Sequence, residues 1–195
     1  MAEKNDELEV VSRALELDPA LVERVVGASH EWEGKIFSVE HLRVELSDGS
    51  LDWREIVRHN GGAGVVAVVD GRVCLVRQYR VALGCMTLEI PAGKVDPSEP
   101  RDVCAARELT EETGLVAERL ELLTESYGAP GFTNEHTSVY FAHGVTQGEA
   151  HLDDGEFLNV VWVPVETAVE AIRRGLIQDA KTVEGILAAK AFGML

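Results

Sequence analysis

Between Gly93 and Leu115 the chain concentrates residues able to do chemistry: Glu99, then Arg107-Glu108-Leu109-Thr110-Glu111-Glu112-Thr113-Gly114-Leu115. On a helix advancing about 100° per residue, Glu108, Glu111 and Glu112 share an arc of roughly 100°. Leu109, Thr113, Ala106, Thr110 and Val103 fill the opposite arc as a packing face. Three carboxylates on one face make a hard-oxygen surface suited to Mg²⁺ or Mn²⁺. Arg107 stands four residues before Glu111 and can hold its rotamer. Gly93, after Ile90-Pro91-Ala92, permits a tight turn that exposes a carbonyl oxygen. The plainer alternative is a solvated acidic helix face.

The elements that must position these residues are legible in outline. Residues 1–27 carry apolar residues at helical spacing (Leu8, Val11, Leu15, then Leu21, Val22, Val25, Val26), with Asp18-Pro19 as a helix start. Residues 35–46 and Leu51–His59 flank Ser47-Asp48-Gly49-Ser50 and predict an antiparallel hairpin. Asn60-Gly61-Gly62-Ala63-Gly64 marks a boundary, giving an N-terminal region 1–59 and a main domain 60–195. A second hairpin is expected from Val65–Val69 and Val73–Tyr79 about a tight Asp70-Gly71 turn. A helix is predicted over 99–113, ended by Gly114, with strands at Leu120–Ser126, Thr137–Ala142 and Leu158–Val163. Helices close the chain at Val165–Arg174 and Thr182–Phe192. Strands and helices without a regular alternation predict a mixed sheet covered by helices.

Composition narrows the chemistry. With 18 Lys+Arg against 34 Asp+Glu, the chain of 195 residues has a formal net charge of −16. Such a field repels nucleic acid and anionic membranes, though cations bound in a site can locally reverse it for an anionic substrate. Cys74, Cys85 and Cys104 form no C-x-x-C motif, and their odd count suggests no disulfide framework. An acidic start without an apolar run, and no aliphatic stretch longer than Val65–Val69, predict a reduced, cytoplasmic protein.

Gly93, Glu99, Arg107, Glu108, Leu109, Glu111, Glu112, Gly114 and Leu115 together fill every specified position of G-x5-E-x7-R-E-U-x-E-E-x-G-U, where U is aliphatic. The segment 93–115 therefore resembles the box of the Nudix hydrolases. The resemblance implies an α/β fold, an α/β/α sandwich with a mixed sheet, carrying an added N-terminal antiparallel β segment. It further implies cleavage of a nucleoside diphosphate linked to another group, with Mg²⁺ or Mn²⁺ as cofactor. By the same resemblance Glu108 and Glu112 are metal ligands, the backbone carbonyl of Ala92 is a third, and Glu111 is a bridging ligand or the base that activates water. Glu99 braces the loop.

Residues outside the box choose the subgroup. Pro130, sixteen residues past Gly114, stands in Gly128-Ala129-Pro130-Gly131-Phe132-Thr133-Asn134-Glu135, a setting similar to that of ADP-ribose pyrophosphatases. Gln78-Tyr79-Arg80 resembles their approach to the box, with Arg80 facing phosphate, and Glu135 is expected at the substrate. Asp153-Asp154-Gly155-Glu156-Phe157 resembles an acidic loop that brings a further carboxylate, Glu156 with Asp154 as rival, as metal ligand or base. Phe37 in Gly34-Lys35-Ile36-Phe37-Ser38 and Arg54 in Arg54-Glu55-Ile56 resemble nucleotide contacts in a sheet exchanged across a homodimer; a core aromatic is the alternative for Phe37. The resemblance covers roughly residues 34–192. The expected reaction is hydrolysis of ADP-ribose to AMP and ribose 5-phosphate. The rivals are a pyrophosphatase for nucleotide sugars, NADH or dinucleoside polyphosphates, and a non-catalytic ADP-ribose sensor. The partner expected is a small nucleoside diphosphate, with no nucleic acid and no membrane.

Overall fold

A computed structural model describes the backbone of residues 2–195 and side chains from Leu8 onward. It divides into two compact units, Met1–Arg58 and His59–Leu195.

The first unit begins with helix α1 (Ala2–Ala14), and Met1 lies outside the described residues. The helical expectation for 21–27 is not met. Arg24–Glu33 is a strand, β1, paired antiparallel with β2 (Phe37–Glu45). Val25 and Val26 are β-branched, so the extended backbone wins where their spacing also suited a helix. β3 (Leu51–His59) completes the sheet in the order β1-β2-β3.

In the second unit the chain alternates between two sheets. One, in the order β10-β11-β4-β8, contains Arg119–Tyr127, His136–His143, Gly62–Val66 and Ala92–Lys94. Its β11 and β4 are parallel and its other pairs antiparallel, hence a mixed sheet. The other places β6 (Arg72–Arg80) between β13 (Leu158–Pro164) and the short strands β5 (Val68–Val69) and β7 (Cys85–Glu89). A two-stranded piece joins β9 (Leu115–Val116) to β12 (Thr146–Gln147). The hairpin expected from residues 65–79 is thus split. Val65 and Val66 belong to the first sheet, and only β5 turns back onto β6. Asp70 (φ 49°) and Gly71 (φ 70°) make that tight turn, both in the left-handed region it requires.

Helix α2 (Arg101–Thr113) covers one side of the strands, where Cys104, Ala105 and Leu109 pack on Ala63, Val65, Ala67 and Cys74. Helices α3 (Val165–Arg173) and α4 (Ala180–Ala191) cover the other. There Val165, Ala168, Ile186 and Ala189 pack on Val66, Val73, Leu75, Ile90 and Val139. Val65 and Val66 serve opposite cores because neighbouring strand residues face opposite ways. Each fully buried Leu or Ile contributes about 1.5–3 kcal/mol, so Leu109 and Ile186 anchor their helices. No described helix is long and apolar enough to cross a membrane.

Candidate active site

Helix α2 holds the carboxylates on an edge that differs from the simple wheel. Cys104, Ala105, Leu109, Thr113 and Glu112 itself are buried, whereas Val103 is half exposed and Ala106 faces solvent. The acidic arc runs from the half-buried Glu111 into the core at Glu112. Gly114 ends the helix with φ 72°, its N–H donating to the Thr110 carbonyl.

Glu112 is 3% exposed and accepts the Ala92 N–H at 2.9 Å. Burial pushes its carboxyl up to about 8, against the pull of that N–H, and the nearby Glu156 and Glu108 raise it further. Burial also raises Glu108, though Arg107 opposes. A buried carboxylate among like charges favours either a proton or a cation. The Glu108 carboxylate lies against Gly93, where a Cβ would stand 2.0 Å from Oε1. The glycine therefore leaves the space that this carboxylate fills.

Arg107 gathers three carboxylates. Its Nε donates to Glu99 at 2.9 Å and its Nη1 to Glu108 at 2.7 Å and Glu111 at 2.8 Å. The Arg107 hydrogen bonds hold Glu99 at about 2 despite some desolvation; Glu99 also accepts the Asp96 N–H. Burial, with Glu99 nearby, pushes the Cys104 thiol up to about 12 and leaves it an inert packing residue.

The loop bearing Glu156 is tied to the end of α2. Gly148 N–H donates to the Gly114 carbonyl at 2.7 Å and His151 N–H to the Glu111 carbonyl at 2.9 Å. Glu156 is half-buried and close enough to raise both Glu108 and Glu112, whereas Asp154 is exposed.

At β8 a cavity of about 240 Å³ is lined by Ala92, Gly93, Arg80, Glu135, His59 and Lys181, among others. Arg80, Glu135 and Ala92 thus share one cavity. Phe37 and Arg54 belong to the first unit. The Phe37 ring is 38% exposed and 5.0 Å from Trp32, whose indole lies over Gly34. Arg54 is held by Glu23 and Asp52, with Nη1 2.6 Å from the Asp52 carboxylate.

Two residues escaped the sequence reading. Glu89 is 2% exposed and accepts Arg80 Nε and Nη2, both at 2.7 Å, the Thr87 hydroxyl at 2.6 Å, and Lys181 Nζ. Burial would raise its carboxyl, but Arg80, Lys181 and Thr87 outweigh it and hold the group at about 2. A glutamate inside the apolar run Leu88–Pro91 was the available signal, since a buried carboxylate needs partners. Lys181 gave no signal; α4 brings it there. Asp179 caps that helix, accepting from the Thr182 N–H, and the Thr182 hydroxyl accepts the buried Ile90 N–H at 2.8 Å.

The donor set is one of hard oxygens: Glu108, Glu112 and Glu156, with the Ala92 carbonyl beside them in the strand. Such a set fits a divalent cation. Among the described residues no three side chains of His, Cys, Asp or Glu already converge on a cation position, and Arg107 engages Glu108 and Glu111.

A twin-sheet core between helices, with a carboxylate-edged helix that follows a short glycine-bearing strand, defines a class of mixed α/β domains. The chain belongs to the NUDIX family, whose domain model matches residues 58–184. A protein of Bacillus subtilis (strain 168) named ADP-ribose pyrophosphatase is 36% identical over 170 residues, 86% of this chain and 92% of its own. A protein of Bacillus methanolicus named Methanol dehydrogenase activator is 36% identical over 164 residues, 83% of this chain and 89% of its own. A solved structure titled as an ADP compounds hydrolase superposes with a TM-score of 0.80 at 23% identity, covering 88% of this chain and 95% of that one, a likeness of fold.

Proposed function

We propose that the protein is a metal-dependent ADP-ribose pyrophosphatase that hydrolyses ADP-ribose to AMP and ribose 5-phosphate. The observation that carries this reading is that Glu112 and Glu108 of the box contact Ala92 and Gly93 of β8, and these same two residues line the cavity that Arg80 and Lys181 also line. Its name for substrate comes from the Bacillus subtilis relative.

Glu108, Glu112, Glu156 and the Ala92 carbonyl would hold Mg²⁺ or Mn²⁺. When bound, the cation neutralises pyrophosphate oxygens and lowers the pKa of water. Glu111 or Glu156 accepts the proton of the attacking water, whose oxygen bonds to one phosphorus as the bridging P–O bond breaks. Glu112 and Glu108 fix the geometry, and Arg80 and Glu135 orient the substrate. In-line displacement of this kind needs positioning and charge compensation more than covalent catalysis.

Residues 1–59 form a dimerisation region in this reading, and residues 60–195 the hydrolase domain. The N-terminal sheet exposes Val25, Trp32, Ile36, Leu51 and Trp53, an apolar surface that supports a homodimer. Phe37 stacks on adenine, and Arg54 reaches the nucleotide by exchanging its contacts with Glu23 and Asp52. The protein acts in the cytoplasm.

The test is product analysis after incubation with ADP-ribose and Mg²⁺, with ADP-glucose and NADH in parallel. Preferential release of AMP and ribose 5-phosphate from ADP-ribose is expected. No AMP at any Mg²⁺ or Mn²⁺ concentration refutes the reading. The Bacillus methanolicus relative favours a second one, in which the domain regulates another enzyme; stoichiometric ADP-ribose binding without turnover would support it.

A further inference from the structure

Glu89 lies outside the box, yet it joins two cations that come from distant parts of the chain. Arg80 arrives on β6 and Lys181 on the first turn of α4, and Glu89 on β7 accepts from both. Both cations line the cavity bounded by Ala92, Gly93 and Glu135. Both also line a neighbouring cavity of about 470 Å³ walled by Leu83, Met86, Leu88 and Leu176.

We propose that Glu89 is a positioning residue, holding Arg80 and Lys181 as a fixed pair of cations against the non-bridging oxygens of a nucleoside diphosphate. The proposal rests on the function put forward above and deepens it.

The geometry of the fork is the first argument. Arg80 meets Glu89 side-on through Nε and Nη2, and among the described residues its Nη1 donates to no acceptor. The Arg80 side chain is 42% exposed while that of Glu89 is 3% exposed. One edge of the guanidinium is thus locked by a buried anchor, while the side chain as a whole stays partly exposed and lines both cavities. A bidentate pair fixes direction as well as distance, which a single contact cannot do.

The anchor is itself held from several elements. Thr87 lies on the same face of β7, two residues away, and its hydroxyl donates to Glu89. Asp179 takes Lys181 Nζ from the other side at 2.8 Å while capping α4. Thr182, in the same turn, accepts the N–H of Ile90, the residue after Glu89. The first turn of α4 is therefore pinned to the strand that leads into the box. Arg80, Lys181, Glu89 and Asp179 sum to zero charge, so the cluster orients donors without adding a long-range attraction. Pre-orientation of that kind acts on the transition state, because the reacting phosphate meets groups that need not reorganise.

The experiment is a mutant cycle on kcat/KM for ADP-ribose, with Arg80 observed directly. E89Q keeps the shape and removes the charge. A loss of about thirtyfold is expected in the wild-type background, and under about threefold in R80A/K181M, where no cations remain to be positioned. Equal losses in both backgrounds, or a loss under threefold in the first, overturn the proposal. If E89Q does not fold, the charge-balanced E89Q/K181M is compared with K181M, and about a tenfold deficit is expected; no deficit overturns it. The Arg80 Nε–H signal in ¹⁵N spectra, identified by its absence in R80K, should be sharp in the wild type and broadened in E89Q. An unchanged signal refutes the positioning. That readout needs no substrate, so a wild type inert toward ADP-ribose would refute the proposed function by a separate route.

Discussion

Replacing Gly93 by alanine separates stability from catalysis at one atom. The backbone at Gly93 is not in the left-handed region, so alanine fits its dihedrals. The new methyl would stand 2.0 Å from Glu108 Oε1 and 2.1 Å from its Cδ. Non-bonded contact needs about 3.5 Å, so the carboxylate must retreat by about 1.5 Å. It is the tip of a flexible side chain, and its eviction weakens a partly exposed pair with Arg107 worth about 0–1 kcal/mol. Loss of glycine freedom in the unfolded chain returns about 0.4–1 kcal/mol. The melting temperature should therefore move by only a few degrees. Activity should not survive so well. On the proposed function, in which Glu108 would hold the cation, its displacement by more than 1 Å should reduce turnover by about 10²-fold, equivalent to about 2.7 kcal/mol of barrier. AMP release from ADP-ribose at saturating Mg²⁺, with thermal melts of the same preparations, decides it. G93A retaining activity within threefold of wild type, or melting more than about 10 °C lower, would refute the argument that this glycine exists to seat Glu108.

Three further outcomes follow from the same packing and charge. E112Q should lose turnover by at least about 10²-fold yet melt within a few degrees of wild type in EDTA, since a neutral amide can still accept the Ala92 N–H; an active or a melted variant contradicts this. G185A should lose about 1–2 kcal/mol in denaturant titrations, because its Cβ would meet Val139 Cγ1 and Val66 Cγ2 at 2.8 Å, while retaining turnover; a stabilised variant would mean that α4 is not seated so closely on the sheet. The Glu89 carboxyl, held at about 2 against an ordinary 4.5, stabilises the fold above pH 4.5 and loses that contribution as pH falls toward 2. The advantage of wild type over E89Q should therefore shrink by about 2 kcal/mol between pH 6 and pH 3, and a constant difference across that range would rule the linkage out.

The box was legible because its chemistry is local. Gly93, Glu99 and the run from Arg107 to Leu115 lie on a short strand, the loop after it, one helix and its end, and helical spacing alone puts Glu108, Glu111 and Glu112 on a shared edge. What the wheel could not supply was which side of that edge meets the core. Glu112 sits in the buried arc because the Ala92 N–H is there to receive it, a contact set by β8 and not by α2. The split at Ala67 was illegible for a related reason. Val65, Val66, Val68 and Val69 are β-formers on both sides of Ala67, and only tertiary pairing decides that Val66 lies against Phe141 in one sheet and Val68 against Val73 in the other. In the first unit, Val25 and Val26 satisfied helical spacing, and pairing with β2 overrode it. Lys181 marks the boundary of what sequence patterns can show. Its number lies 92 residues beyond Glu89, and only the capping of α4 by Asp179 and the Thr182–Ile90 bond place its ammonium at that carboxylate. Ligands for a cation can share one helix because they need a common face. Donors for a substrate must surround it, so they come from several elements, and their meeting is decided by packing.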